Sequence, residues 1–348
     1  MVTLKNITYN EALKLKKPIF IDLRSPKEFA EDHIDTAVNL PLFSDLEREV
    51  IGKTYKYEGV SQAKLLGLNL LSPKLPTLIN EVRLLKEQGD VIIYCWRGGL
   101  RSFVFGEILR LVDIFVYRLE GGYKSYRKQV VKFFAEPLAI HPVVVYGMTG
   151  VGKTLVLEKL AQRGLKVLDL EKLANHRGSV FGHLGLGLQP TQKRFESLLY
   201  HSLMSFQDTP FLVEGESRRI GKLYLPMELF NKMQTAPVIL LELPLEMRVK
   251  NLLQDYQVKN LPIEEFLKAL NSITQYLGKT KIEELAFYLK QGDFYFFTEI
   301  LLKDYYDPLY KKSTSYLSNI KKIIRGNDID ELVDKLYSFW IKHGGGDL

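Results

Sequence analysis

A single cysteine, Cys95, stands in a chain of 348 residues. No intramolecular disulfide can form, and no cysteine-based metal cluster can be built within one chain. Cys95 therefore either performs chemistry or packs as a small apolar group. No uninterrupted apolar run reaches the ~18 residues that would suggest a membrane span. The opening MVTLKNITYN places no apolar stretch behind a basic one. The expectation is a cytoplasmic protein with no membrane partner. No repeat with a period of ~20–50 residues is present, and no low-complexity tract apart from the terminal HGGGDL. Order must come from strands, helices and turns.

What is present is ordinary for a folded protein: 46% hydrophobic and 26% charged residues, and length enough for two domains that each bury a core. Lysine and arginine total 48 against 41 acidic residues, a net charge of +7. That balance is compatible with a polyanionic partner, since cations on phosphates release counterions, but does not by itself establish one.

Short apolar runs occur at Pro18 to Leu23, Val91 to Tyr94, Ile114 to Leu119, Val143 to Tyr146, Lys166 to Leu170, Phe211 to Val213 and Val238 to Leu243. Helical spacing appears between them, as in Leu78-Val82-Leu85 and Leu155-Leu160. Apolar strands alternating with helices predict α/β folding with parallel sheets covered on both faces. A helical stretch ends at Phe134, and Pro137 and Pro142 flank the next strand. The expected domains are 1–137 and 138–348. Beyond Leu245 strand signals fade, and the last hundred residues read as mostly helical.

Cys95 follows the buried-strand pattern Val91-Ile92-Ile93-Tyr94 and precedes Trp96-Arg97-Gly98-Gly99-Leu100-Arg101-Ser102 and a helical stretch. A loop between a strand's C-terminal end and a helix N-terminus points backbone amides at anions. Gly98 and Gly99 allow tight wrapping, and Arg97 and Arg101 would favour a nucleophilic thiolate. The spacing Cys95 to Arg101 is also C-x5-R, which suits a cysteine phosphatase.

Gly147-Met148-Thr149-Gly150-Val151-Gly152-Lys153-Thr154 fits G-x-x-x-x-G-K-[ST], preceded by the strand Val143 to Tyr146 and followed by a helical stretch. The amides of Gly147, Thr149, Gly150 and Gly152 would cradle a diphosphate, with Lys153 as a point charge and Thr154 able to hold Mg²⁺. Glu214 and Glu216, at the end of the strand Phe211 to Val213, are candidates for a magnesium-side acid, with Arg218 and Arg219 beyond them. Asp169 at the end of another strand, with His176 and Arg177 in the following glycine-containing stretch, are candidates for contact with substrate. His176 is a candidate general acid or base.

Ile21-Asp22-Leu23-Arg24-Ser25-Pro26-Lys27-Glu28-Phe29, His33-Ile34 and Leu119-Glu120-Gly121-Gly122-Tyr123 resemble the rhodanese family over residues 5 to 135. That resemblance implies sulfur or selenium carried on the loop cysteine. Joined to the phosphate loop, to Asn175-His176-Arg177-Gly178-Ser179, to Glu214 through Gly221 and to Tyr305-Tyr306-Asp307-Pro308-Leu309-Tyr310, the whole chain resembles the bacterial tRNA 2-selenouridine synthase family. The implied fold is a rhodanese-like parallel-sheet domain followed by a P-loop NTPase-like α/β domain with a mostly helical C-terminal part. The implied substrate is wobble 2-thiouridine in tRNA, S-alkylated by geranyl diphosphate and then selenated from selenophosphate, which a separate supplier makes. On that basis Gly147 to Thr154 hold the geranyl diphosphate, Cys95 carries selenium as a perselenide, and Arg97 and Arg101 bind selenophosphate. For tRNA, the basic and aromatic stretches Arg118 to Lys132 and Lys303 to Arg325 are the candidates, with tyrosines available to stack on an unpaired base. Two rivals stay open: a rhodanese-fold cysteine phosphatase or sulfurtransferase fused to a P-loop module, and a sulfur-carrier sensor in which the P-loop acts as a switch.

Overall fold

The computed structural model describes residues 4–206, 208–255, 262–312 and 317–344. The chain divides into two compact units: Met1–Phe133 with Glu196–Leu198, and Phe134–Phe195 with Leu199–Leu348. The division falls just ahead of the expected break at 137/138, inside the helix Gly122–Ala135.

The first unit is built on β1 (Lys5–Ile7), β2 (Pro18–Asp22), β3 (Val38–Asn39), β4 (Asp90–Tyr94) and β5 (Tyr117–Leu119), in the order β1-β5-β4-β2-β3 with every pairing parallel. The centre is β4, where Val91 to Tyr94 are all fully buried. A strand covered by helices on both faces reads as a continuous apolar run rather than an alternation, which is how this one appears in the sequence. Ile21, Leu23, Ile93, Phe105 and Leu109 pack with Leu78 and Val82 in one core. Each such buried side chain contributes on the order of 2 kcal/mol by leaving water.

The second unit is built on β6 (Pro142–Gly147), β7 (Val167–Leu168), β8 (Phe211–Glu214), β11 (Val238–Glu242) and β12 (Ile320–Arg325), again parallel, in the order β12-β11-β6-β8-β7. A small antiparallel hairpin, β9 (Arg219–Ile220) and β10 (Leu223–Tyr224), follows β8. Because later strands are added on the far side of β6, the chain reverses its winding direction there, and ligands bind at such switch points. The helices Lys153–Gln162 and Ile329–His343 cover the sheet, with Val156, Leu160, Leu332, Leu336 and Trp340 in one core. The described residues between 245 and 312 are mostly helical, and Phe266, Leu270, Leu285, Phe297 and Leu301 form a further cluster with Phe181.

One expectation is corrected here. The run Lys166 to Leu170 yields only a two-residue strand, because Asp169 caps the helix Leu170–Ala174 by accepting a hydrogen bond from the Lys172 amide at 2.8 Å. The C-terminal region is mostly helical, as expected, and also contributes the strand Ile320–Arg325. Its lysines hide the strand signal because β12 is the sheet's edge, with Lys321 and Lys322 exposed.

Candidate functional site

In the first unit Cys95 leaves β4 and its loop enters the helix Leu100–Leu111. The thiol is 3% exposed, with Sγ 3.3 Å from Ser102 Oγ. Two backbone hydrogen bonds tie the loop to the next helix: the Tyr123 and Lys124 amides donate to the Cys95 and Trp96 carbonyls, each at 2.9 Å. This approach requires glycine at 122. Its φ is +57°, and a Cβ there would stand 2.2 Å from the Cys95 carbonyl oxygen and 2.4 Å from the Gly98 nitrogen.

Beneath the loop lies a buried charge system from the segment that resembles the rhodanese signature. Arg24 is 1% exposed and donates to Asp22 Oδ2 at 2.6 Å and to the Asp32 carbonyl at 2.6 Å. Its guanidinium lies 3.9 Å from the Tyr123 ring centroid and 5.7 Å from that of Trp96. Burial opposes the charge, but the hydrogen bonds and charge of Asp22 outweigh it and raise the Arg24 pKa. A fixed cation therefore sits below the cysteine loop.

The two loop arginines behave differently. Arg97 is exposed. Arg101 is held by Glu28, Nη1 to Oε2 at 2.8 Å and Nη2 to Oε1 at 3.2 Å. Burial raises the Glu28 carboxyl, yet the Arg101 contact wins and holds it below the usual carboxylate range. Glu28 also closes a capping box with Ser25, so one side chain starts a helix and neutralises the arginine. Arg101 is thus paired with a carboxylate, whereas Arg97 is exposed.

In the second unit the loop after β6 has the form the motif requires. Gly150 sits at φ +82°, where a Cβ would meet the Arg248 carbonyl oxygen at 2.7 Å, and the Lys153 ammonium donates back to the Gly147 carbonyl at 3.3 Å. Thr154 Oγ1 donates to Glu171 Oε2 at 2.8 Å, and the Glu171 amide donates to Glu214 Oε2 at 3.1 Å. Glu214 is fully buried, and its Oε1 has no hydrogen-bond partner. Burial, with Glu216 facing it, pushes the Glu171 carboxyl up to about 8. Burial and the neighbouring carboxylates raise Glu214 well above its ordinary value. Glu171 was not among the expected site residues; it lies in the first turn of the helix that follows a strand two places away in the sheet, which no local motif reveals.

Arg248 and Asp307 were likewise not predicted as a pair. Arg248 is 3% exposed, reaches Asp307 Oδ1 at 2.8 Å and the Met148 sulfur at 2.9 Å, and has an unpartnered Nε. The Tyr305 to Tyr310 segment thereby docks against the phosphate loop. A wide π turn at Leu302–Tyr306 precedes Asp307.

His176, the candidate acid or base, sits inside the loop that follows the helix Leu170–Ala174. It is buried, its Nδ1 receives the Gly178 amide at 3.1 Å, and burial lowers its pKa, so it stays neutral and shapes the loop. Arg177 ties the same loop to Asp255 and the Leu184 carbonyl. Gly178, at the loop's turn, lies against Glu171 and Glu216. Arg218 and Arg219 are exposed on the β9–β10 hairpin, stacked about the Tyr224 ring.

Beside the phosphate loop lies a small apolar cavity of about 50 Å³, whose walls belong largely to the core of the helical region. Thr149 and Ser179 contribute to it, and Phe181, Leu252, Phe266, Phe297, Leu301, Leu302 and Tyr306 form most of its wall. Of the stretches expected to meet tRNA, Tyr123 and Tyr126 are buried in the first core and Tyr305 in the second unit, so these three do not stack on an exposed base. Residues 313–316 of the second stretch lie outside the described residues. Among the described residues no helix is long and apolar enough to cross a membrane, and no cluster of three or more His, Cys, Asp or Glu forms a metal site.

Comparison with known proteins agrees with this division. Residues 140–338 match the family described as tRNA 2-selenouridine synthase AAA domain, and residues 8–129 match the rhodanese-like domain. Relatives named tRNA 2-selenouridine synthase include one from Sulfurovum sp. (strain NBC37-1), 33% identical over 86% of this chain and 89% of its own. Another, from Shewanella oneidensis, is 33% identical over 92% of each chain. A third, from Pseudomonas syringae pv. tomato, is 35% identical over 86% of this chain and 89% of its own.

Proposed function

Since the chain belongs to the tRNA 2-selenouridine synthase family, we propose that it replaces sulfur by selenium in wobble 2-thiouridine of tRNA by alkylating the sulfur first. A thiocarbonyl sulfur is a poor leaving group, whereas an S-alkyl group departs as a thiol once selenium adds to the ring carbon. In the first step the 2-thio sulfur attacks the allylic carbon of geranyl diphosphate. The carbon–oxygen bond breaks, diphosphate leaves with the electron pair, and the base loses its N3 proton. In the second step the selenium of selenophosphate adds at C2, the C2–S bond breaks and geranyl thiol leaves, and water then cleaves the selenium–phosphorus bond to release phosphate; this step is assigned to the Cys95 loop. Selenophosphate has to come from a separate enzyme that makes it.

The observation that carries this reading is the conjunction of a phosphate loop with an apolar cavity that begins at the loop's own Thr149. Amides of Gly147 to Thr154 and the Lys153 ammonium suit the diphosphate, and they stabilise it as its negative charge grows on departure. Phenylalanine and leucine walls suit an isoprenoid chain. Thr154 and Glu171, already joined by a hydrogen bond, form a hydroxyl–carboxylate pair of the kind that holds Mg²⁺ beside a diphosphate. When bound there, the ion would neutralise charge on the leaving group. The phosphatase alternative would require Arg101 to abandon Glu28 for its substrate.

The test is mass spectrometry of nucleosides from 2-thiouridine tRNA incubated with the protein, adding geranyl diphosphate and selenophosphate separately and together. Geranylated nucleoside with the first alone, and selenouridine with both, is the expected result. Unchanged nucleosides together with hydrolysis of an aryl phosphate would replace this reading by the phosphatase.

A further inference from the structure

The helix Gly122–Ala135 starts at the cysteine loop, where the Lys124 amide donates to the Trp96 carbonyl. Lys124, Lys128 and Lys132 follow at four-residue intervals and all three are exposed, while Tyr123, Tyr126 and Val130 turn into the core. Residues four apart lie on the same helix face, and like charges so placed destabilise a helix. Lys124 also stands in the first turn, where the helix dipole disfavours a cation. The acidic residues at helical spacing from this row are Glu120, four before Lys124, and Glu136, four after Lys132. Among the described residues, Lys124 and Lys128 have no ion-pair partner. Lys124 and Lys128 therefore stand as adjacent like charges that an anionic ligand would relieve.

The row has a length and direction. At 1.5 Å rise per residue, lysines four apart stand roughly 6 Å apart along the axis. That approximates the spacing of successive phosphates along one strand of nucleic acid. The row ends at the loop that carries the exposed Arg97 and the buried Cys95.

Resting on the tRNA reading above, we propose that Lys124, Lys128 and Lys132 form the track for one strand of the tRNA backbone, leading the anticodon to the cysteine loop. The contacts are to phosphates, so they position the tRNA without reading its sequence. A second basic surface, Lys321, Lys322 and Lys342 in the other unit, has a different explanation. Two of these lysines lie on the open edge strand β12, where lysine guards against strand pairing.

The experiment measures binding of the full chain to a fluorescently labelled tRNA carrying wobble 2-thiouridine across a range of KCl concentrations. The variant Lys124→Gln/Lys128→Gln/Lys132→Gln should bind at least about tenfold more weakly, with the slope of log affinity against log salt reduced by roughly 2–3, about one for each phosphate that is no longer neutralised. The corresponding triple arginine variant keeps the charge and should retain the slope. The variant Lys321→Gln/Lys322→Gln/Lys342→Gln carries the same charge change and should leave the slope intact. Equal losses in the two glutamine variants, or none in the helix variant, would overturn the track while leaving tRNA as the substrate. Wild-type protein that fails to bind tRNA would overturn the function and the track together. Removing the like charges relieves the helix, so misfolding is not expected; an unchanged circular dichroism spectrum checks this.

Discussion

Glu28 serves three partners: the Ser25 amide, Arg101 and, at 4.0 Å, Arg48. Replacing it by glutamine keeps the shape and removes the charge, and should cost about 1–2 kcal/mol. The two tryptophans, Trp96 and Trp340, fall in different units, so Trp340→Phe leaves fluorescence that reports the first unit alone. A denaturant midpoint read by Trp96 should drop for Glu28→Gln. Because the folded protein holds the Glu28 carboxyl below its unfolded value, this contribution is present above the unfolded pKa and fades as pH falls. The sign at Glu171 is opposite. With its carboxyl pushed up to about 8, the folded state binds the extra proton, so stability declines as pH rises from about 4.5 towards 8. Glu171→Gln should flatten that decline in thermal melts, and only in part, because Glu214 is raised as well. A decline as steep as wild type in the variant would mean that Glu171 ionises normally.

At the scale of elements, the close approach of the helix Gly122–Ala135 to the cysteine loop depends on a residue without a side chain at 122. Gly122→Ala should destabilise the first unit by roughly 1–3 kcal/mol and abolish selenation, while geranylation by the other unit persists; nucleoside mass spectrometry separates the two. In the cavity, Phe297→Leu should let the enzyme accept a longer prenyl diphosphate, seen as a rise in farnesylated over geranylated nucleoside. Elements of this kind differ in how far the sequence reveals them. The phosphate loop is contiguous, running strand, glycines and helix in order, so Gly147 to Thr154 could be read directly. So could the turn around Cys95. Glu171 could not, because its partner Thr154 belongs to a different strand–helix connection. Nor could the Arg248–Asp307 pair, 59 residues apart and joined only once the helical region folds back. Ile320–Arg325 escaped notice because an edge strand tolerates lysines that a central strand excludes. Aromatics between Arg118 and Lys132 looked available for stacking because a helix's two faces are interleaved in sequence; only the fold shows Tyr123 and Tyr126 inside.

For the whole molecule, the proposed chemistry assigns one step to each unit. Cys95→Ser should halt selenation and spare geranylation, whereas Lys153→Ala should halt geranylation and so deprive the second step of its substrate. Geranylated tRNA has no unstable bond, and a mixture of the two inactive variants should therefore regain selenouridine by passing tRNA from one protein to the other. Failure of the mixture, with each variant retaining its own step, would show that the intermediate is never released. The position of β12 has a different kind of consequence. It pairs with β11 from across more than seventy intervening residues, and the helix after it supplies Leu332, Val333, Leu336 and Trp340 to the core under the phosphate loop. During synthesis the first sheet has all its strands once Leu119 has emerged from the ribosome, but the second waits exposed until Trp340 does. A ribosome that stalls in the helical region would thus display a finished cysteine sheet joined to a second sheet still missing its edge strand.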